Sequence, residues 1–360
     1  MSIIKDDYKK IRDNYGEHLK ALSGKNILVT GSTGMITSYL CGFLLSIAEE
    51  FNAKIYLQCR NQEKGRKIYE EYVERPCLQI VNFDISKRIP DINWDYIIHA
   101  ASPADTKSFL EHPVDVISPN VIGTWNLLNY AKEHFVKKFV LLSSNSIYGE
   151  GGVNVSELSE NDYGIVDPLG ERSCYVESKK MAEQMCQAFL RQYEVPSSIV
   201  RICHTYGPTI DLKNDYRIIS IVIKQILADE DITIYRDPYS FVQYTYLADI
   251  TAAILLVLLE GNVGEAYNAG GDEVVFMDDV IAWMVNSDDR IKAKLIEKEI
   301  DDKYRFSKGK GINFLKINND KLKKLGWKQM FSNEEGFKRT VASYLAGKSN
   351  YDIGDVVFEK

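Results

Sequence analysis

The chain has 360 residues, of which 45% are hydrophobic and 26% are charged, proportions typical of a soluble globular protein with one large or two medium domains. Its formal net charge of −7 argues against a general nucleic-acid binder, which usually carries a basic stripe. No apolar run is long enough to span a bilayer, and residues 1–25 lack the apolar core of a secretory signal. The six cysteines include no Cys-x-x-Cys pair, and the five histidines lack metal-ligand spacing. These features predict a cytoplasmic protein with reduced thiols, no metal site, and no nucleic-acid or membrane partner.

Strand and helix patterns alternate along the first 203 residues. An amphipathic helix is predicted first, over residues 5–22. β-Strands are then predicted at 25–30, 55–59, 79–83, 96–101, 138–143 and 197–202. Further helices are predicted at 39–50, 119–134, 218–228 and 247–260. Strands that alternate with helices indicate βαβ units and a parallel sheet.

This pattern predicts the fold class and the domain limits. We expect an α/β fold, in which a doubly wound parallel (Rossmann) sheet is joined to a smaller C-terminal α/β substrate lobe. The chain divides into an N-terminal helical extension (1–24), a dinucleotide-binding domain (25–203), a mainly substrate-binding lobe (204–348, with some segments returning to the first domain) and a polar tail (349–360).

A glycine-rich turn lies between the first predicted strand and the helix that follows it. Its sequence is Gly31-Ser32-Thr33-Gly34-Met35-Ile36. Glycines let the backbone approach a pyrophosphate, and a helix N-terminus offers free N–H groups to it. This context predicts a dinucleotide site, the alternative being a tight turn without a ligand.

The end of the second predicted strand bears on the choice of cofactor. Enzymes that prefer NAD usually carry Asp or Glu there, on the ribose 2′-hydroxyl. This chain has no carboxylate at that point, and Arg60 follows, with Lys64 or Arg66 in support. A guanidinium is suited to a 2′-phosphate, so the sequence favours NADP(H) over NAD(H). The alternative is that Arg60 stacks on the adenine of an NAD(H) enzyme.

Tyr175 and Lys179 stand four residues apart in a segment with a helical pattern. Residues at this spacing share one face of a helix, so a phenol and an ammonium can meet there. The positive charge is expected to lower the pKa of Tyr175 from about 10, which would let it exchange a proton with a substrate hydroxyl near neutral pH. The alternative is a chance surface pair.

In order and spacing these motifs resemble those of the extended short-chain dehydrogenase/reductases, a family of nucleotide-sugar epimerases, dehydratases, decarboxylases and ketoreductases. The resemblance covers residues 25–345. The matching residues are Thr30-Gly31-x-x-Gly34, Asp84, His99-Ala100-Ala101, Asn120 with Gly123-Thr124, Ser143-Ser144, Tyr148-Gly149, Tyr175-x-x-x-Lys179, Arg201, Tyr206-Gly207-Pro208, Tyr246-x-x-Asp249 and Leu325-Gly326-Trp327.

The resemblance implies a role for several of these residues. Ser144 would hydrogen-bond the substrate oxygen beside Tyr175, Lys179 would also hold the nicotinamide ribose, and Asp84 would bind the adenine. The cofactor would further contact Ile85, Ala100, Ala101, Ser102 and Ile202. Family members commonly form a homodimer through a helix bundle that includes the Tyr175 helix, and we expect the same here.

Departures from the family pattern narrow the reaction. Dehydratases of this family carry an Asp-Glu pair directly after the Ser/Thr, where this chain has Asn145 and Ser146. The sugar-acid decarboxylases carry glutamate at the position of Ser146, and the GDP-4-keto-sugar epimerase-reductases carry cysteine. These differences argue against dehydration and put decarboxylation in doubt. Ser144, Tyr175, Lys179 and a cofactor suffice for reduction of a ketone, or for 4-epimerisation through a transient ketone.

Further departures concern the substrate. Thr37 replaces the third motif glycine, His204 replaces an asparagine, and Val242 replaces the arginine that commonly binds the nucleotide diphosphate. We therefore assign Arg217 and Arg236, with Lys224 behind them, as candidate replacements, together with substrate contacts from Asn145 and Ser146. His204 binds a phosphate or a substrate hydroxyl, or is a structural histidine.

The sequence thus predicts an NADP(H)-dependent reductase of a ketone in a nucleotide-activated sugar. The substrate could be CDP-linked, the product a sugar or an alditol, and the pathway surface glycan biosynthesis. The alternative is a nucleotide-sugar 4-epimerase with tightly bound NAD. A third hypothesis, a catalytically silent sensor or scaffold, predicts that Tyr175→Phe removes no activity.

Overall fold

The computed structural model describes residues 2–149, 157–236, 241–299 and 316–347, so the tail predicted at 349–360 lies outside the described residues. The α-helices are α1 (Ile3–Leu19), α2 (Met35–Ala48), α3 (Gln62–Ile68), α4 (Thr106–Glu111), α5 (Pro113–Ser118), α6 (Thr124–Glu133), α7 (Ser173–Tyr193), α8 (Ile218–Leu227), α9 (Leu247–Glu260), α10 (Met277–Val285), α11 (Asp320–Lys323) and α12 (Asn333–Leu345). The strands are β1 (Asn26–Thr30), β2 (Lys54–Gln58), β3 (Leu78–Val81), β4 (Tyr96–His99), β5 (Lys138–Ser144), β6 (Glu157–Leu158), β7 (Ser197–Ile202), β8 (His204–Tyr206), β9 (Ile232–Arg236), β10 (Phe241–Val242), β11 (Tyr244–Tyr246), β12 (Ala266–Ala269), β13 (Val275–Phe276), β14 (Leu295–Glu299) and β15 (Lys316–Ile317).

The centre of the fold is a seven-stranded parallel sheet in the order β12-β7-β5-β4-β1-β2-β3. Successive side chains of a strand point to opposite faces, and both faces are apolar here. Ile27 and Val29 of β1 pack into one core with α1, α2 and α9, whereas Leu28 packs into a second core with α6 and α7. Helices therefore cover both faces of the sheet, which confirms the predicted doubly wound α/β fold.

The strand order reverses between β1 and β4, because β2 and β3 extend the sheet on one side and β5, β7 and β12 on the other. In doubly wound folds, ligands bind in the crevice at the carboxyl ends of the strands beside this reversal. The turn 31–34 follows β1, and the segment 100–102 follows β4, so the two predicted cofactor segments border one crevice.

Short strands and helices build the C-terminal part. β8 pairs in parallel with β11, and β9 pairs in parallel with β14. Buried residues of α8, α10 and α12 belong to the same hydrophobic core as one face of the central sheet. Strand β12 was not predicted, because it carries no β-branched residue; it adds to the sheet beside β7.

Helix α1 packs one face against the rest of the molecule. Asp7 is fully buried and accepts hydrogen bonds from Tyr39 at 2.9 Å and from Tyr246 at 2.6 Å. Its other oxygen accepts from Arg339 on α12 at 2.8 Å. The N-terminal helix therefore ties α2 to β11 and α12.

The helix predicted over residues 119–134 is interrupted, which corrects the sequence analysis. A π-helical turn, Pro119–Gly123, separates α5 from α6. The buried Asn120 amide donates to the Val116 carbonyl and to the Ser178 hydroxyl, each at 3.0 Å. This side chain links the turn to α7, and π-helical turns of this kind are frequent near functional sites.

None of the described helices has the length and apolarity needed to cross a bilayer.

Candidate active site

The glycine turn has a backbone that only glycine suits at its first position. Gly31 has φ +64°, and a Cβ there would lie 2.7 Å from the Cα of Ala101. Helix α2 begins at Met35, directly after Gly34, so its first N–H groups have no carbonyl one turn earlier to bind. Thr37 is buried, and its hydroxyl donates to the Gly31 carbonyl at 2.6 Å. The turn is thus held open toward the crevice, as a pyrophosphate requires.

Gln58, the last residue of β2, fixes the turn from the other side. Its side-chain oxygen accepts from the Gly31 N–H at 2.9 Å, and its amide nitrogen donates to the Phe83 carbonyl at 2.6 Å. The N–H of Ser32 donates to the Gln58 carbonyl at 3.1 Å. A neutral side chain with internal partners therefore ends the strand where NAD enzymes carry a carboxylate. Gln58 was not predicted as a site residue, although a polar residue that ends an apolar strand is a signal of such a role.

The two cations predicted for a 2′-phosphate have different surroundings. Arg60 follows β2 and is exposed. Lys64 lies in α3, and its Nζ is 3.2 Å from the Asp211 carboxylate. Arg60 remains available to a ligand, whereas Lys64 would have to leave Asp211.

The other predicted cofactor residues lie at or after the ends of β3, β4 and β7. The Asp84 carboxylate accepts the N–H of Ser86 at 2.9 Å, which orders this loop. Ile85 is buried, and a Cβ on Gly123 would lie 2.6 Å from its Cδ1. Ile202 is buried at the end of β7. Ser102 lies in the loop directly after β4.

A buried hydrogen-bond chain connects β1 to β4 and α6. The Thr30 hydroxyl accepts the N–H groups of Ala100 and Ala101, at 3.1 and 3.2 Å. It therefore donates to His99 Nδ1 at 2.8 Å, and His99 Nε2 then donates to Thr124 at 3.1 Å. Burial, helped by the Lys179 charge, lowers the pKa of His99 to about 3. His99 is thus a neutral structural residue that positions the segment after β4.

Ser144 and Tyr175 meet at the carboxyl end of β5. The Ser144 hydroxyl lies 3.1 Å from both the N–H and the hydroxyl of Ser146. Burial raises the pKa of Tyr175 above its usual value, and a hydrogen bond from Ser144 opposes this shift in part. The fold therefore brings together two of the three predicted catalytic side chains, with the tyrosine protonated at neutral pH.

The predicted effect of Lys179 on Tyr175 is wrong for this structure. The Lys179 Nζ donates to the Leu142 carbonyl at 2.8 Å, and it lies 5.8 Å from the centroid of the Tyr175 ring. The pKa of Tyr175 is raised rather than lowered, because burial of the phenol outweighs the hydrogen bond from Ser144. Burial also lowers the pKa of Lys179 to about 8, while Glu183 opposes that shift.

The Glu183 carboxylate, one turn beyond Lys179, is hydrogen-bonded to Arg201 and Ser143. Both Glu183 oxygens bind Arg201, at 3.1 Å to Nε and 2.8 Å to Nη2. The Ser143 hydroxyl donates to the same carboxylate at 2.6 Å. Glu183 is therefore an anchor between α7 and the sheet, and not a free base.

Asn145 and Ser146 follow Ser144 in a 3₁₀ turn that runs to Tyr148. Asn145 is half-buried and Ser146 is exposed. Neither side chain titrates in the physiological range, so the titratable partner that the structure gives Ser144 is Tyr175.

The remaining predicted substrate residues lie beyond the end of β7. His204 opens β8 and is exposed at its edge, with its ring 6.0 Å from that of Tyr244. Partial desolvation of the ring by the surrounding chain, together with the Arg217 charge, lowers its pKa. The Arg217 guanidinium contacts both oxygens of Asp215, with Nε at 3.0 and 2.9 Å from them, and its side chain is 52% exposed. Arg236 ends β9, but its side chain lies outside the described residues. The fold thus brings His204 and Arg217 together.

Lys224 and Val242 complete this side. The Lys224 Nζ donates to the Asp215 carbonyl at 3.0 Å, and Val242 is half-buried in β10.

Across the described ranges, no three His, Cys, Asp or Glu side chains come together as a metal site.

The model of the NAD dependent epimerase/dehydratase family matches residues 27–270. UDP-glucuronic acid decarboxylase 1 of Xenopus tropicalis is 30% identical to the chain over 321 residues, which cover 88% of this chain and 71% of that protein. Low-salt glycan biosynthesis protein Agl12 of Haloferax volcanii is 25% identical over 328 residues, covering 89% of this chain and 98% of that protein.

A solved structure has the same fold. It is UDP-glucuronic acid 4-epimerase from Bacillus cereus in complex with UDP-glucuronic acid and NAD, with a TM-score of 0.71 and 21% identity over 89% of this chain and 99% of that one. The family match spans the sheet, the glycine turn and the Ser144–Tyr175 corner. The chain therefore belongs to the NAD dependent epimerase/dehydratase family and is an enzyme of the extended short-chain dehydrogenase/reductase type.

Proposed function

We propose that the enzyme is an NADP(H)-dependent reductase of a ketone in a nucleotide-activated sugar. The similar Xenopus protein bears the name of an enzyme of UDP-glucuronic acid, and the epimerase from Bacillus cereus was solved with that nucleotide sugar. These names support a nucleotide sugar as the substrate class for this chain.

The observation that carries the proposal is the protonated Tyr175 beside Ser144. Reduction of a ketone creates an alkoxide, which needs a proton donor and a hydrogen bond at its oxygen. Tyr175 has a raised pKa and would supply the proton, while Ser144 would donate the hydrogen bond. Lys179 would turn from the Leu142 carbonyl to the nicotinamide ribose. The cofactor, when bound, supplies the hydride.

The choice of NADP(H) is supported by the end of β2. Gln58 is neutral and occupied by internal hydrogen bonds, and the exposed Arg60 follows two residues later. A 2′-phosphate would meet no carboxylate at this strand end and would lie within reach of a guanidinium. The similar Bacillus cereus structure holds NAD, so NAD(H) is the competing cofactor.

A binding experiment separates these cofactors. Arg60→Ala should weaken NADPH binding about tenfold or more and leave NADH binding unchanged, because a charge-assisted hydrogen bond contributes about 1.5–3 kcal/mol. Isothermal titration of the wild type, Arg60→Ala and Arg191→Ala measures this. Arg191 is an exposed arginine near the end of α7 and serves as the control. Equal NADPH affinity in all three proteins would contradict the assignment.

Two other reactions have specific support. The similar epimerase favours 4-epimerisation with tightly bound NAD, in which case the purified protein would carry stoichiometric NAD and turn over without added nicotinamide. The name of the Xenopus relative favours decarboxylation, which release of CO₂ from UDP-glucuronic acid with NAD would establish. Ser146 stands where the family's decarboxylases carry glutamate, and it is exposed and uncharged.

The same proposal extends to the biological setting. The name of the Haloferax relative supports a place in glycan biosynthesis, here of a surface glycan assembled in the cytoplasm. The half-exposed Arg217 in place of the usual diphosphate arginine is compatible with an unusual, CDP-linked substrate that yields a sugar or an alditol. Arg217, His204 and Arg236 would contact it, with Asn145 and Ser146 beside the reacting carbon.

A homodimer is part of this proposal as well. Val114 on α5, Trp125 on α6 and Met181 on α7 are 73%, 52% and 49% exposed, and these helices pack side by side. Such an apolar face fits a second copy of the chain. Light scattering should give a dimer mass for the wild type and a monomer mass for Trp125→Asp, and a monomeric wild type would contradict it.

A further inference from the structure

The ring of Tyr175 is stacked on that of Phe109. The two ring centroids are 4.8 Å apart, and the planes differ by 23°. Phe109 is only 7% exposed and belongs to α4, the short helix that follows the segment 100–105. Offset stacks of this kind hold both rings in a defined orientation.

The neighbours of Tyr175 hold α4 in place. The Cys174 thiol donates to the Phe109 carbonyl at 3.7 Å. The Arg172 guanidinium donates to the Thr106 hydroxyl at 3.4 Å, and its carbon lies 6.0 Å from the Phe109 ring centroid. Phe109 is therefore fixed to the N-terminal end of α7, where Tyr175 lies.

We propose that Phe109 is a positioning residue for Tyr175, which covers the phenol ring, excludes water from it and holds its hydroxyl toward Ser144. This inference rests on the proposed function, because it assigns Phe109 a part in proton delivery by Tyr175. Burial is the main cause of the raised pKa of Tyr175, and the stacked ring of Phe109 supplies part of that burial. A tyrosine kept protonated in this way retains its proton until an alkoxide forms beside it.

The test reads Tyr175 directly in the ligand-free full chain. 3-Fluorotyrosine is placed at position 175 alone, and its ¹⁹F signal is followed against pH. The fluorinated phenol is more acidic than tyrosine, which brings the titration into a range where the protein stays folded. Phe109→Ala is compared with Phe109→Tyr, which keeps the ring, and with Leu110→Ala, a half-exposed neighbour on the same helix.

Phe109→Ala should lower the titration midpoint by roughly one unit, since water then reaches the phenol. Phe109→Tyr and Leu110→Ala should leave the midpoint unchanged. Phe109→Leu should give a smaller shift in the same direction, and it serves in place of the alanine variant if that variant does not fold. An unchanged midpoint in a folded Phe109→Ala or Phe109→Leu protein would overturn the inference.

The outcome is separable from that of the proposed function. If the wild type transfers no hydride, the proposed function fails, while the ligand-free titration still decides the part of Phe109. In an active enzyme, Phe109→Ala should lower kcat roughly ten- to a hundredfold with a nearly unchanged KM, because a misplaced proton donor affects the chemical step. Phe109→Tyr should restore kcat, and a change confined to KM would count against the inference.

Discussion

The two sides of the crevice hold their polar groups in different ways. On the nucleotide side, uncharged buried groups fix the glycine turn, with Gln58 bound to the Gly31 N–H and Thr37 bound to the Gly31 carbonyl. On the substrate side, the Arg217 guanidinium is bound to the chain's own Asp215 carboxylate and is half-exposed. The glycine turn would take a pyrophosphate without breaking these bonds, whereas an anion that binds Arg217 would have to displace the Asp215 carboxylate. The comparison teaches that, in the proposed sites, the glycine turn is preorganised, whereas the cations Lys64, Lys179 and Arg217 would exchange internal partners for a ligand.

The largest effect is expected where the two sides meet. Tyr175→Phe should lower kcat by about 10²–10⁴, because it removes the proton donor and leaves the rest of the crevice intact. NADPH affinity should be unchanged, since the glycine turn does not depend on the phenol. Steady-state kinetics and titration calorimetry measure the two quantities, with Tyr193→Phe near the exposed end of α7 as the control. Full activity of Tyr175→Phe would support a catalytically silent protein instead.

The nucleotide side should be sensitive to loss of one neutral side chain. Gln58→Leu leaves the Gly31 N–H and the Phe83 carbonyl without their partner. Each unsatisfied group is expected to lower the free energy of unfolding by about 1–3 kcal/mol, and the NADPH dissociation constant should rise. Denaturant unfolding and calorimetry measure the change. The control Gln192→Leu, at an exposed position, should change the free energy of unfolding by no more than about 0.5 kcal/mol. Equal losses of stability and of NADPH affinity in the two variants would show that Gln58 does not preorganise the glycine turn.

A buried group on the nucleotide side and a buried group outside both sides, beside Met330, should respond to pH in opposite directions. Burial lowers the pKa of His99 on the nucleotide side to about 3, and burial raises the pKa of Asp249, at the start of α9, to about 8. The stability from neutral His99 is present above its unfolded pKa of about 6.5 and is lost as pH falls toward 3. The stability from protonated Asp249 is present below its unfolded pKa of about 3.9 and is lost as pH rises toward 8.

Thermal unfolding against pH measures both contributions. Asp249→Asn should reduce the fall in melting temperature between pH 4 and 8 and leave the fall at acid pH unchanged. His99→Gln should reduce the fall in melting temperature at acid pH and leave the fall between pH 4 and 8 unchanged. If Asp249→Asn does not change the fall in melting temperature between pH 4 and 8, the Asp249 carboxyl is not protonated in the native state.

The smallest effect on stability is expected on the substrate side. Arg217→Ala should change the free energy of unfolding by less than about 0.5 kcal/mol, because the pair with Asp215 is partly exposed. It should raise KM for the nucleotide sugar several-fold and leave kcat unchanged. Arg290→Ala is the matched control, since Arg290 pairs with Asp288 two residues earlier in the same local arrangement. An equal KM in both variants would mean that Arg217 does not bind the substrate.

The sequence was sufficient for six of the seven strands of the central sheet, all but β12, and for the spacing of the candidate catalytic residues. The strands β1, β5 and β7 were predicted because apolar, β-branched runs identify buried parallel strands. The Tyr175–Lys179 spacing likewise identified one face of α7. The resemblance, rather than the spacing, added Ser144 to that pair.

What the sequence could not reveal depends on contacts between distant segments. The stack of Phe109 on Tyr175 joins two helices that are far apart in the chain. The neighbouring hydrogen bonds from Arg172 to Thr106 and from Cys174 to Phe109 span 66 and 65 residues, so no periodicity in the sequence indicates the stack. The direction of the Tyr175 pKa shift was wrong because spacing gives proximity and not burial. The bonds from Gln58 to Gly31 and Phe83 also link separate loops of the sheet.

Transfer of deuteride tests the central claim most directly. The enzyme is incubated with a nucleotide-linked ketosugar and NADPH that carries deuterium at the transferable C4 position, and the product is examined by mass spectrometry and NMR. The account predicts one deuterium on the carbinol carbon of each product molecule, one NADP⁺ formed for each, and loss of both in Tyr175→Phe. Turnover of a nucleotide sugar without consumption of added NADPH, and without deuterium in the product, would contradict it.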